Sequence, residues 1–144
     1  TSLGNLNKAL EFFELRSELG KQLYEAYPSN VSFKNSLAIS YSKLGDTHTS
    51  LGNLNKALEF FELRSELGKQ LYEDYPSNVS FKNGLAIAYY KLGQFYKDKI
   101  NDNNKAKPYY QKCAKMWEEL TTAHPSYAEF KRNYGIVSRI LEDL

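Results

Sequence analysis

Residues 49–93 repeat residues 1–45 nearly residue for residue, at an offset of 48 positions. A third, looser copy follows at an offset of 49, so that Pro76 corresponds to Pro125. A constant period of this size predicts stacked supersecondary units, which have a long continuous surface and no single closed active-site pocket by default. The four positions that differ between the first two copies are Ala26/Asp74, Ser36/Gly84, Ser40/Ala88 and Ser42/Tyr90.

Apolar residues recur at three- and four-residue steps within each copy, which is the spacing of amphipathic helices. The first helix is predicted from Asn5 to Tyr27, because the residue before Pro28 avoids the α region. The second is predicted to begin at an N-cap Ser29, and to end near Leu51. The same pattern predicts helices over residues 53–75 and 77–100, from about 104 to 124, and over 126–144. Short connections favour antiparallel neighbours, so we expect six antiparallel helices and no strands.

Local signals add detail to this prediction. Ser126 is followed three residues later by Glu129, a capping-box pattern, which is why the equivalent Ser29 is expected to cap its helix. The third copy has an Asn-rich segment, 101–104, which is expected to form a loop that carries the extra residue of the 49-residue offset. Pro108 is expected in a first helical turn, because proline lacks an N–H group.

Glycines inside predicted helices point to packing. Gly20 and Gly68 each cost about 1 kcal/mol relative to alanine, a cost that a close approach of two helices would offset. The third copy has Trp117 at this position, so we expect its neighbour to pack differently or to be absent.

Charge and cysteine content exclude several classes of protein. The 144 residues include 19 basic and 17 acidic residues, and a net charge of +2 implies no strong field for nucleic acid or membranes. No apolar run approaches the roughly 18 residues of a membrane span, so we expect a soluble, cytoplasmic protein. Cys113 is the single cysteine, which excludes an intrachain disulfide, and it is expected to be a small buried residue. Because Thr1 corresponds to Thr49 within a repeat, we expect the sequence to be an excerpt of a longer protein.

The spacing of small and aromatic residues resembles that of the tetratricopeptide repeat, whose order is aromatic, Leu-Gly, aromatic, Gly, aromatic, Ala, aromatic, Pro. The resemblance covers the whole chain, although the period is longer than the family's usual one of about 34 residues. Departures include His48 and Leu54 at aromatic positions and Arg64 at a small one. The matching residues are Ala9, Phe13 and Pro28; then Tyr41, Leu44, Gly45, Gly52, Ala57, Phe61 and Pro76; then Tyr89, Leu92, Gly93, Tyr96, Ala106, Tyr110 and Pro125.

The resemblance implies an all-α fold, a right-handed superhelix, or α-solenoid, of antiparallel helix hairpins. On this basis residues 1–144 form one repeat array, with a half repeat at 1–28, repeats at 29–76 and 77–125, and a terminal capping helix at 126–144. In that geometry Tyr41 and Phe61 are expected to fill the interface between helices.

An enzyme would need several reactive side chains that act together, and the sequence contains few candidates for such a group. The two histidines, His48 and His124, stand at different positions of different repeats, which argues against a metal site or a triad. His48 is expected to be a packing residue. Glutamates such as Glu59 and Glu62 alternate with basic residues, as on a solvated face, and no phosphate-binding glycine loop occurs. We therefore expect no enzymatic activity, no cofactor and no metal.

A groove is implied by the resemblance, lined by the first helix of each hairpin. Family members that hold an acidic C-terminus use lysines and asparagines there, which Lys43, Lys91, Asn35 and Asn83 resemble loosely. The expected lining is Asn35, Ile39, Ser42, Lys43 and Asp46, then Asn83, Ile87, Tyr90, Lys91, Gln94 and Lys97, then Arg132, Ile136 and Arg139.

These residues predict a scaffold for protein–protein interaction that binds a peptide, such as an acidic one, in the groove, with neither nucleic acid nor membrane as partner. The alternative is a module for self-assembly, with a weak homodimer formed through an open N-terminal end. Because the helix at Asn5–Tyr27 lacks the preceding helix that its copy has, apolar surface is expected to lie open there.

Overall fold

Residues 2–144 are described by a computed structural model, and these residues form six α-helices and one π-helical turn, without a strand. The all-α prediction is confirmed. The helices are α1 (Leu3–Ala26), α2 (Val31–Leu51), α3 (Leu54–Asp74), α4 (Val79–Phe95), the π-helical turn (Tyr96–Ile100), α5 (Asn103–Ala123) and α6 (Ala128–Glu142).

The chain divides into two compact units between Leu71 and Tyr72. The first unit contains α1, α2 and most of α3, and the second contains the end of α3 together with α4, α5 and α6. The buried side chains of the second unit come from all three of its complete helices, and they include Leu85, Ala86, Ala106, Tyr110, Cys113, Trp117, Leu120, Phe130 and Val137.

Neighbouring helices within each unit run antiparallel. In the first unit Gly20 of α1 lies against Leu37 of α2, and the chain reverses between them at residues 27–30. In the second unit Trp117 of α5 reaches back to Asn83 of α4. Glu118 of the same helix accepts a 2.7 Å hydrogen bond from the Tyr134 hydroxyl of α6. The expected helix hairpins are therefore present in both units.

Glycines of the Leu-Gly pairs lie where two helices come closest. A Cβ atom added at Gly45 of α2 would lie 2.5 Å from the ring of Phe61 on α3, and one at Gly93 of α4 would lie 3.1 Å from the ring of Tyr110 on α5. Phe61 and Tyr110 are buried, which confirms Phe61 as an interhelical core residue. Gly20 differs, because its Cβ would meet Leu37 at an ordinary 3.6 Å. The expected close approach of the two helices is still present, because the added Cβ would lie 3.8 Å from the Leu37 Cα of α2.

Two predicted helix caps are wrong. Asn30, not Ser29, caps α2, and its side-chain oxygen accepts a 3.0 Å hydrogen bond from the Phe33 amide. At α6 the N-cap is Tyr127, which makes no side-chain capping bond, so the box predicted from Ser126 does not form. Serine and asparagine are comparably good caps, and the choice depends on where the turn after the proline places the first helical residue.

The end of α2 has the expected glycine turn. Gly52 adopts a left-handed conformation with φ of 80°, which glycine tolerates without strain. The amide of Asn53 donates to the carbonyl of His48 at 2.8 Å, closing the end of the helix.

At the corresponding end of α4, in the second unit, the extra residue of the 49-residue offset lies within the helix. The loop predicted to carry it, over residues 101–104, does not hold it. α4 continues into the π-helical turn, where Asn101 takes the left-handed conformation with φ of 60°. The amide of Asp102 donates to the Tyr96 carbonyl at 2.9 Å, and the Asp102 carboxylate caps α5 through the Lys105 amide. A single inserted residue widens one helical turn in this way, and such turns are frequent at functional sites.

Pro108 also departs from its predicted place. α5 begins at Asn103, so Pro108 lies in the second turn instead of the first. Because proline has no N–H group, the carbonyl of Asn104 lacks its usual helical donor. Both residues line a surface pocket.

The contact at Gly45 gives a matched pair of variants. Gly45→Ala is expected to lower the free energy of unfolding by about 1–2 kcal/mol, because overpacking against Phe61 outweighs the gain in helix propensity of about 1 kcal/mol. Gly135→Ala in α6 is the control, since nothing lies within 4 Å of its added Cβ. That variant should be stabilised. Chemical denaturation of both measures the difference, and equal effects would contradict the role given to the contact.

Candidate functional site

The predicted groove residues are distributed over both units. On α2, in the first unit, Ile39 is 46 % exposed and Lys43 and Asp46 are exposed, while Asn35 and Ser42 are half-buried. The remaining nine lie in the second unit. They are Asn83, Ile87, Tyr90, Lys91 and Gln94 on α4, Lys97 in the π-helical turn, and Arg132, Ile136 and Arg139 on α6.

Three of these nine residues meet in one pocket. Ile87 and Tyr90 of α4 and Ile136 of α6 line a cavity of about 220 Å³ together with Trp117 and Asn133. We call this set the Tyr90 pocket. Its volume lies below the roughly 300–1,000 Å³ of small-molecule sites, so it suits one anchoring side chain better than a cofactor.

Trp117 forms the floor of the Tyr90 pocket. Its side chain is 3 % exposed, and its indole Nε1 donates a 2.9 Å hydrogen bond to the Asn83 Oδ1. This bond satisfies the polar edge of a buried indole and fixes the orientation of the ring. One predicted groove residue, Asn83, therefore uses its side-chain oxygen to position Trp117.

Tyr90 is held between two other rings. Its centroid lies 5.8 Å from that of Trp117 and 5.7 Å from that of Tyr110, which it meets edge to face. Burial raises the pKa of the Tyr90 phenol, an effect to which Cys113 and Asp98 add and which Lys97 opposes. The phenol therefore stays protonated, and its hydroxyl can donate a hydrogen bond.

Cationic side chains flank the pocket on α6. Arg132 and Arg139 are exposed and stand one helical turn before and after Ile136, so the three share one side of the helix. In the π-helical turn the Lys97 amine lies 3.3 Å from the Asp98 carboxylate, which partly offsets its charge. The pocket thus combines an aromatic floor with two arginines at its edge.

Trp117 and Asn133 were not among the predicted site residues. Trp117 stands where the other copies have Gly20 and Gly68, so its large side chain was the signal that the third copy packs differently. Asn133 stands where the preceding copy has Gly84. In both cases the substitution adds side-chain atoms at the pocket.

The residues considered for catalysis are held in packing roles. His48 is buried and stacks on Phe60 at 5.5 Å between centroids, as expected for a packing residue. His124 lies 5.7 Å from the ring of Tyr127. Cys113 is buried, as predicted, and its thiol donates to the Tyr110 carbonyl at 3.3 Å. Burial raises the pKa of this thiol to about 12, so it does not supply a thiolate near neutral pH.

Residues 2–144 contain no group of three His, Cys, Asp or Glu side chains placed to hold a metal ion. None of the helices in this part of the chain combines the length and apolar character that a membrane span requires.

Comparison with protein families identifies two matching segments. A family model described as a tetratricopeptide repeat matches residues 38–63 and 86–116. The first segment runs through most of α2 into α3, and the second runs from α4 through the π-helical turn into α5. Each match therefore covers one helix hairpin. Comparison with the curated proteins gives no match.

The environment of His48 makes stability depend on pH. Burial lowers its pKa, Glu14 and Glu59 oppose the shift and Lys56 adds to it. The folded state therefore favours neutral imidazole, and the unfolded state takes up the proton first as pH falls through its value near 6.5. We expect the free energy of unfolding to fall from about pH 7.5 to about pH 5.5. The variant His48→Tyr introduces tyrosine, the residue that the next copy has at Tyr96, and its free energy of unfolding should fall less over this pH range. An equal fall in both proteins would contradict the role given to His48.

Proposed function

Because the chain is a tetratricopeptide-repeat protein, and such repeats mediate protein–protein interactions, we propose that it binds a peptide segment of a partner protein in the Tyr90 pocket. The observation that carries this proposal is the convergence of Tyr90, Trp117 and Ile136 around one small cavity. Members of this family are typically scaffolds without enzymatic activity.

The lining of the pocket has the composition of an interaction hot spot. Tyrosine, tryptophan and arginine are the residues that most often dominate the energy of protein interfaces. Tyr90 and Trp117 are held by neighbouring rings and by the bond to Asn83, so little side-chain entropy is lost when a ligand binds. A leucine-sized or phenylalanine-sized side chain of the partner is the proposed anchor.

The charges around the pocket favour an acidic partner segment. Arg132 and Arg139 flank the apolar Ile136 and are available to carboxylates on either side of the anchor. Such charges mainly govern the association rate and the register, while the buried anchor supplies more of the affinity. We propose micromolar binding that weakens as salt increases.

A weaker contact is proposed for the first unit. Ile39 and Lys43 are exposed one helical turn apart on α2, the same apolar–cationic pairing that Ile136 and Arg132 form on α6. Ser42 stands in place of Tyr90, so the aromatic wall is missing in this copy. The first unit is therefore expected to contribute less affinity than the second.

Tyr90→Ser tests the proposed anchor, because serine is the residue of the first copy at this position. With a fluorescent acidic peptide that carries one central phenylalanine, the variant should lose about tenfold or more in affinity, as for a hot-spot tyrosine. Fluorescence anisotropy measures the change. Ser42→Tyr is the matched control, with no loss expected. If Tyr90→Ser binds as tightly as the unmodified chain, the proposed pocket is wrong.

Self-assembly is the second candidate function, and α1 supplies the observation that favours it. Every residue of α1 is described and none is buried, whereas α3, with nearly the same sequence, buries five. Leu23 is 43 % exposed while its copy Leu71 is 2 % exposed, and Phe12 is 56 % exposed. We propose that this face of α1 is covered by the same face of a second copy of the chain.

Molar mass measured against concentration tests this candidate. We expect a reversible increase toward a dimer at high concentration, since burial of exposed leucine and phenylalanine side chains favours association. Leu19→Lys places a charge in the exposed face and should abolish the increase. Gln22→Lys adds the same charge at an exposed polar position of α1 and should not. A constant monomeric mass for all three proteins would rule the dimer out.

A further inference from the structure

The first fifteen residues of α5 are more basic than their equivalents in the preceding copy. Residues 103–117 contain four lysines and no acidic residue, whereas residues 54–68 contain two basic and three glutamate residues. One of the changes puts Lys112 where the preceding copy has Leu63, and another puts Pro108 where it has Glu59. Both changes make the local charge more positive.

Three tyrosines lie beneath these lysines. The rings of Tyr96 and Tyr109 stack at 5.9 Å between centroids and 5° between planes, and Tyr89 lies 6.1 Å from Tyr109. The Lys112 amine lies 5.1 Å from the Tyr89 centroid and 5.6 Å from that of Tyr109. The Lys105 amine lies 5.8 Å from the Tyr96 centroid. Cation–π contacts of this kind hold the lysines over the rings.

A pocket of about 360 Å³ opens between these groups, which we call the Lys112 pocket. It shares no lining residue with the Tyr90 pocket. The π-helical turn carries Tyr96 to its wall, and α5 supplies Asn104 and Pro108, between which the usual helical hydrogen bond cannot form. The residues that line it are Tyr96, Asn104, Lys105, Pro108, Tyr109 and Lys112.

We propose that the Lys112 pocket is a second binding site, for an extended acidic peptide whose two carboxylates are separated by two residues. Lys105 and Lys112 are seven residues apart on one helix, which places them about 10.5 Å apart along its axis. A polyproline II chain has three residues per turn and rises about 9 Å over three residues, so carboxylates at positions i and i+3 lie on one side of it and match the spacing of the two lysines along α5. The site does not depend on the Tyr90 pocket.

A peptide fits the pocket better than a nucleic acid does. The ring faces of Tyr96 and Tyr109 lie against each other, and the lysines lie over the tyrosines, so stacking of a base would have to displace these contacts. The Asn104 carbonyl lacks the helical donor that Pro108 cannot supply, and the peptide units between the two carboxylates carry N–H groups. Carboxylates then meet the amines on either side.

The test uses the full chain and a fluorescein-labelled Gly-Glu-Ala-Ala-Glu-Gly peptide. Lys112→Leu, which restores the residue of the preceding copy, should weaken binding about two- to fivefold, as expected for one exposed charge pair. Lys107→Leu removes the same charge from an exposed position of α5 outside the pocket and should change binding little. Circular dichroism of both variants checks that the helices remain.

Three further measurements test whether the peptide binds in the Lys112 pocket. A peptide with adjacent glutamates should bind more weakly than the spaced one, and the amide resonances of residues 104–107 and 109–112 should shift on titration of the spaced peptide. Tyr90→Ser should leave this binding unchanged, which separates it from the other pocket. Equal losses in Lys107→Leu and Lys112→Leu, no dependence on spacing, tighter binding of an oligothymidylate, or no binding at millimolar peptide would overturn the proposal.

Discussion

The contact between the glycine of each Leu-Gly pair and a buried ring on the next helix is the constraint on which both units depend. At Gly45 and Gly93 no space is left for a Cβ atom without movement of Phe61 or Tyr110. Protein interiors are packed densely enough that such a ring has one position, so the contact sets how the two helices of a hairpin face each other. Because the glycine and the ring recur in each copy of the sequence, the same contact recurs in each hairpin.

Both candidate binding sites follow from that fixed ring in the second unit. Successive helical residues point about 100° apart, so a buried Tyr110 directs Tyr109 toward the outside of the hairpin. Tyr110 then supports Tyr90 in one pocket, while Tyr109 supports Tyr96 and the lysines in the other. The doubled tyrosines at 89–90 and 109–110 therefore give one pair of helices two distinct surfaces, one aromatic with arginines at its edge and one cationic.

Sequence patterns predicted the helices, the antiparallel hairpins and core residues such as Phe61, because these depend on spacing along one or two helices. They missed Asn30 as a cap and the π-helical turn, because these depend on how the backbone closes the helix ends. The lining of the Tyr90 pocket was predicted in part. Tyr90 and Ile136 were predicted from the resemblance, but Trp117 was not, since its place depends on three helices and on the bond to Asn83.

Several of the differences between the copies lie at the two candidate pockets, beside a ring contact that both units keep. The ring contact is kept in both units, with Phe61 in one and Tyr110 in the other. Around it, Ser42 becomes Tyr90, Leu63 becomes Lys112 and glycine becomes Trp117. A conserved packing contact fixes the backbone, and positions beside it can then change size and charge without loss of the hairpin. The second unit is therefore where the specificity of this chain is expected to lie.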